Sequence, residues 1–209
     1  MGTTPGFAEQ HFPGFDVLDQ SRTWDLVTSG VVLSRLGPPA PLRFFSYAQE
    51  PTARALVDRL LAQDSDPRVP VIEMIDQRLV ERQGDGYRYK DMPDDWEAWS
   101  ASIDALDADA HERAGRPFSD LERTDQIELV EHVRAVEGTW HRLPASRLFA
   151  LWMRYACDAF YSHPWSWNEI GFGGPAYPRG YKNLGLGRRE AWEVAERHPL
   201  DPVAADEQR

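Results

Sequence analysis

The stretch PASRLFALWMRYACDAFYSH, residues 144–163, limits the fold more than any other. Proline fits the first turn of a helix, where its missing N–H costs little, so Pro144 reads as the opening of a long helix. Arg154 and Asp158 stand four apart and can pair. Most other positions are apolar, on more than one face. A helix of that kind needs neighbours on several sides. It predicts a central helix over about 144–162, inside a bundle.

The rest of the chain supplies neighbours of the same type. TWDLVTSGVVLSRL (23–36) reads as a helix with Trp24, Val27, Val31 and Leu33 toward a core, ended by GPPAP. After the short extended piece LRFF, Ser46 is a candidate N-cap. From Thr52 onward Leu56 and Leu60, flanked by Val57 and Leu61, recur at helical spacing. Pro70 opens a further helix with Val71, Met74, Ile75 and Leu79 on one face, and residues 83–95, QGDGYRYKDMPDD, read as a loop. Trp96, Trp99, Ile103 and Leu106 form the stripe of a helix over 96–115, with Gly115 as its C-cap. Ser119 with Glu122 resembles a capping box for the next helix, and a start near Thr124 is the alternative. No segment shows sustained alternation of period two. The fold class expected is all-α: an irregular bundle of about five or six helices around the 144–162 helix, with irregular N- and C-terminal arms. At 209 residues the chain reads as one domain. Residues 1–41 would hold the N-terminal arm and first helix, 42–177 the helical core and 178–209 the tail.

The formal net charge of −11 speaks against nucleic acid and anionic lipid surfaces as partners. No apolar run reaches membrane-spanning length. The start, MGTTPGFAEQHF, shows no basic region followed by an apolar stretch, so the expectation is a cytoplasmic protein, with export as a complex the alternative.

Catalytic patterns are sparse. Glu128 and His132 could share a helix face beside Glu131, but no second Glu-x-x-His pair and no His pair four apart accompanies them, and such charges mostly line a solvated face. Cys157, the single cysteine, sits in the most apolar helix and reads as a small buried hydrophobe. His163, just before Pro164, is either a general base or a cap for the last carbonyls of the central helix. GFGGPAYPRG lacks the strand and helix of a dinucleotide fingerprint. The residues therefore suggest no catalytic, cofactor or metal site within the chain.

FYSHPWSWNEIGFGGPAYPRGY, residues 160–181, remains. Trp165, Trp167, Phe172, Tyr177 and Tyr181 stand among three prolines and four glycines. Such a segment has three readings. It can fold back on its own helices. It can lie on a partner, since Trp, Tyr and Arg are favoured interface anchors. It can stack sugar rings on a Trp165–Trp167 platform, as part of a sugar-binding module or of a carbohydrate-active enzyme using His163.

The order of these segments resembles the gluconate 2-dehydrogenase subunit 3 family. The resemblance runs from about Arg43 to Tyr177, through FF…ALVDRLL, the GRPF tetrad 115–118 and the aromatic helix leading to Asn168 and the GFGGP turn. It implies a non-catalytic small subunit that binds, stabilises or helps mature a large FAD-dependent dehydrogenase of the glucose–methanol–choline (GMC) type. FAD would sit in that partner, and some complexes add a cytochrome c subunit. The contact residues expected are Trp165, Trp167, Asn168, Phe172, Tyr177, Arg179 and Tyr181, with Tyr87 and Tyr89 from the 83–95 loop. Many members begin with a twin-arginine leader, which is not seen here. Residues 1–40 and the tail GYKNLGLGRREAWEVAERH have no assigned counterpart.

Overall fold

The computed structural model describes residues 12, 14–64, 66, 68–183, 185 and 188–195. The beginning of the expected N-terminal arm and the end of the expected tail lie outside the described residues. The chain packs as two compact units, Pro38–Phe160 and Met1–Gly37 with Tyr161–Arg209. Each unit has its own interior.

The described structure is all-α apart from one small hairpin. In the larger unit, helix α2 (Glu50–Leu60) carries the small buried residues Thr52 and Ala53 beside Leu56 and Val57. Small side chains let backbones approach closely. Thus α2 runs nearest to α3 (Val71–Val80), α4 (Asp95–Ala114), α5 (Arg123–Ala135) and the 3-10 turn Phe118–Asp120. Burial of Val71, Ile75, Leu79, Trp99, Ile103 and Leu106 follows the stripes expected, while Met74 and Trp96 of the same stripes are half-buried.

Two carboxylates, the buried Asp76 and the half-buried Asp107, explain the most distinctive sequence pieces. Asp76 on α3 accepts the backbone N–H groups of Arg43, Phe44 and Phe45 at 2.8, 2.8 and 3.0 Å, which fixes RFF without a strand. Asp107 accepts the Thr52 hydroxyl at 2.7 Å and the Phe118 N–H at 2.8 Å, tying α2 and α4 to the GRPF turn. Gly115 ends α4 in the left-handed region at φ 68°, as its C-cap role requires. Ser46 opens the turn before α2: its hydroxyl accepts from the Gln49 N–H, one turn ahead of the helix proper. The Ser119–Glu122 capping box is not formed. Ser119 belongs to the 3-10 turn, and α5 begins at Arg123 with no side-chain cap.

β1 (Thr139–Trp140) and β2 (Leu143–Pro144) form an antiparallel hairpin. Its two turn residues, His141 and Arg142, both have positive φ, as a tight two-residue turn demands. Helix α6 (Ala145–Tyr161) follows directly and buries Leu148, Leu151, Trp152, Tyr155, Ala156 and Phe160. Trp152 donates its indole N–H to Ser102 at 3.0 Å, and the Tyr155 hydroxyl donates to Asp95 at 2.7 Å. Ser146, Ala150 and Asp158 are exposed, so α6 has one open side rather than apolar cover all round. The expected Arg154–Asp158 pair gives way to other partners: Arg154 pairs with Asp85 and Asp95, and Asp158 with Arg78. Cys157 is half-buried rather than fully buried, and burial, aided by Asp158, pushes its thiol pKa up.

In the smaller unit, a 3-10 helix (Val17–Thr23) is capped by Asp16 and leads to α1 (Leu26–Ser34), capped by the Asp25 carboxylate on the Thr28 N–H at 2.7 Å. The facing expected for α1 is wrong. Val27, Val31 and Leu33 are exposed and Val32 is buried. A nine-residue helix with apolar residues all round carries too little asymmetry to reveal its inner face. Helix α7 (Pro164–Ile170) lies within the segment expected to be an irregular arm.

Candidate functional site

The aromatic segment after α6 is built on α7. His163 is its N-cap, Pro164 occupies the first turn and Gly171 closes it in the left-handed region at φ 67°. His163 is 1% exposed. Its Nδ1 accepts the Trp165 N–H at 3.2 Å, while Nε2 lies 2.9 Å from the Arg35 carbonyl and donates to it. This pair of contacts requires the neutral Nε2–H tautomer. Burial, aided by the Arg35 charge, holds the imidazole pKa below its usual value and agrees with that state. His163 therefore caps α7 and does not serve the carbonyls of α6. With both nitrogens engaged and the ring buried, it presents no base to a substrate.

Trp167 is 5% exposed and shares a small core with Val17, Trp24 and Val32, onto which Phe15 and Leu18 also pack. Its indole N–H donates to the Tyr161 carbonyl at 2.6 Å, and Phe172 meets the ring edge-on at 5.5 Å. Stacking a sugar needs an open ring face, so the Trp165–Trp167 platform is not formed, although Trp165 itself is half-buried. For the same reason Trp167 is an anchor of the unit's own interior and not an open contact residue. Asn168 also works inward: its Oδ1 accepts the Val17 N–H at 2.8 Å and its amide donates to Asp16 at 3.3 Å.

The GFGGP turn is a close-packed crossing. A Cβ on Gly174 would lie 2.7 Å from the Trp24 ring, and one on Gly173 would lie 2.4 Å from the Trp192 ring. Gly174 also has φ +74°, so it is required on two counts. Arg179 then clamps the turn. It donates to the Gly173 carbonyl at 2.6 Å and to the Thr23 hydroxyl at 3.0 Å, and its guanidinium lies 3.7 Å from the Trp192 ring centroid. Trp192 contacts Tyr181 at 5.1 Å.

Of the contact residues expected, Trp167, Asn168 and Arg179 are spent on internal bonding. Phe172, Tyr177 and Tyr181 remain exposed, at 39, 68 and 48%. Tyr87 and Tyr89 are exposed on the loop of the larger unit. The sequence reading missed Val17, Trp24, Arg35 and Trp192 as the partners that hold the segment. Only the aromatic content of residues 12–24 and of the tail hinted at them. Glu128, Glu131 and His132 are all exposed on α5, and Glu131 pairs with Arg134. Among the described residues no three His, Cys, Asp or Glu side chains converge as metal ligands. Among the described residues, no helix is long and apolar enough to cross a membrane.

The model of the family described as gluconate 2-dehydrogenase subunit 3 matches residues 47–174. No curated protein and no solved structure matches the chain significantly. The matched span covers more than half of the chain and includes both the Asp107–GRPF junction and α7. The chain belongs to the gluconate 2-dehydrogenase subunit 3 family. Membership in a family of dehydrogenase subunits implies a dehydrogenase partner.

Proposed function

We propose that this member of the subunit 3 family is a non-catalytic small subunit. It would bind an FAD-dependent sugar or alcohol dehydrogenase of the GMC type and stabilise it or assist its maturation. The observation that carries the reading is the division of labour in the aromatic segment. Trp167, Asn168 and Arg179 pin the backbone internally, and this leaves Phe172, Tyr177 and Tyr181 held in place with open faces. Ordered aromatics lose little entropy on docking, which is what an interface anchor needs. FAD belongs to the partner in this reading, and a cytochrome c subunit is a further partner. The compartment proposed is the cytoplasm, with an exported complex as the alternative; cell fractionation distinguishes them.

Co-expression tests the proposal. The dehydrogenase should be less soluble or less active without this chain, and affinity purification of the chain should bring down flavin absorbance. An equally soluble and active dehydrogenase in its absence would refute the reading. Tyr177→Ala should weaken the complex by ~2 kcal/mol, a typical cost of truncating an anchoring aromatic, while the free subunit melts as before.

A further inference from the structure

The hairpin ahead of α6 holds two large side chains where its backbone favours glycine. His141 has φ 45° and Arg142 has φ 69°. Thr139 pairs with Pro144 and Trp140 with Leu143, so these two residues are the whole turn. A two-residue turn of this hand favours Asn-Gly, because a Cβ at positive φ crowds the carbonyl that follows it. Such strain persists only where the surroundings or a function compensate it.

For His141 the compensation lies within the chain. Its Nε2 is 2.6 Å from one oxygen of Asp109 on α4, and the other oxygen accepts the Trp140 indole N–H at 2.8 Å. One carboxylate thus orients both rings, which meet edge to face at 4.9 Å. The base of the hairpin is packed: Trp140 and Leu143 are buried, and Trp140 meets Trp152 of α6 edge-on at 6.0 Å. Arg82, the other long side chain at positive φ, lies 4.9 Å from the Trp96 ring centroid. Arg142 differs from both. It is exposed, and among the described residues its side chain makes no hydrogen bond, ion pair or ring contact. The hairpin is a fixed mount with an unengaged guanidinium at its tip.

We propose that Arg142 is a contact residue for the dehydrogenase partner, its guanidinium taking a carboxylate on that protein's surface. The inference rests on the subunit reading and adds a charged contact on the larger unit to the aromatics of the smaller one. The hairpin lies within residues 47–174, the span matched by the family of dehydrogenase subunits. A guanidinium is a planar fork of N–H donors that grips a carboxylate through two parallel hydrogen bonds. Arginine is also a favoured interface anchor. The Asp109 clamp and the packed base fix the backbone of the tip beforehand, which lowers the ordering cost of docking. The strain at Arg142 is then compensated outside the chain, in the complex.

Two variants of the full chain test this, against the flavoprotein that co-purifies with the wild type. Arg142→Gln removes the charge and leaves the backbone as it is. Arg142→Gly removes the charge and relieves the backbone. Each should weaken flavoprotein binding about tenfold, read as flavin absorbance retained in titration. Wild-type binding should fall more steeply than that of either variant between about 20 mM and about 500 mM NaCl. Arg142→Gln should melt with the wild type, while Arg142→Gly should melt about 2–4 °C higher. Undiminished binding by Arg142→Gln overturns the proposal and leaves the subunit reading standing. A wild-type chain that retains no flavoprotein overturns both. Melting of Arg142→Gly below the wild type shows an unstrained turn and overturns the proposal as well.

Discussion

The 83–95 loop and the 160–181 segment both mix tyrosines with glycines, yet they are held by opposite physics. In the segment after α6, Trp167 enters a core with Val17, Trp24 and Val32, and Asn168 and His163 satisfy buried backbone groups. In the loop, every residue from 83 to 91 is exposed and the attachment is ionic. Apolar burial and buried hydrogen bonds are insensitive to salt and costly to break, whereas an exposed ion pair such as Arg147–Asp91 is neither. The comparison teaches that an aromatic, glycine-containing loop reveals its role only through what its rings touch.

The largest effect expected is that of Trp167→Ala. It should destabilise the smaller unit by about 3–5 kcal/mol, as loss of a core tryptophan does. Hydrogen exchange at Val17 and Trp24 would report it, and protection unchanged there would move Trp167 out of the core role. Asn168→Ala comes next, at about 1–3 kcal/mol, because the Val17 N–H loses its acceptor. The same exchange measurement should show Val17 affected first.

Acid sharpens the contrast further. The His163 pKa is depressed in the folded state below its ordinary 6.5, so the unfolded chain takes up the proton first. Stability from neutral His163 is full above about 6.5 and falls as the pH drops through the folded pKa. Melting of the wild-type unit should therefore decline between pH 7 and 5 more than that of His163→Gln. Parallel profiles would remove His163 as the source. The smallest effect belongs to the loop. Asp91→Asn should change global stability by no more than ~0.5 kcal/mol, as read by thermal melting.

Much of the larger unit was legible in advance. The stripes of α3 and α4, the Gly115 cap and the opening of α6 after Pro144 are local signals of period and capping. The missed helix α7 had them too, in Pro164 and Gly171, but the density of Gly and aromatics around them masked a seven-residue helix. The facing of α1 was not legible, because apolar residues ring a short helix and, among the described residues, only Val32 joins the core. Nor was the Arg154 pairing: its i+4 neighbour was the natural candidate, and the structure preferred aspartates 59 and 69 residues earlier in the chain.

By itself the sequence determined an all-α chain, the positions of its main helices and its family, because helix periodicity, caps and motif order are written locally. Tertiary structure decided that Trp167, Asn168 and Arg179 face inward while Phe172, Tyr177 and Tyr181 face out. That choice depends on Val17, Thr23 and Trp24, some 150 residues away, and an aromatic side chain is bonded the same way in the sequence whether it ends in a core or on a surface.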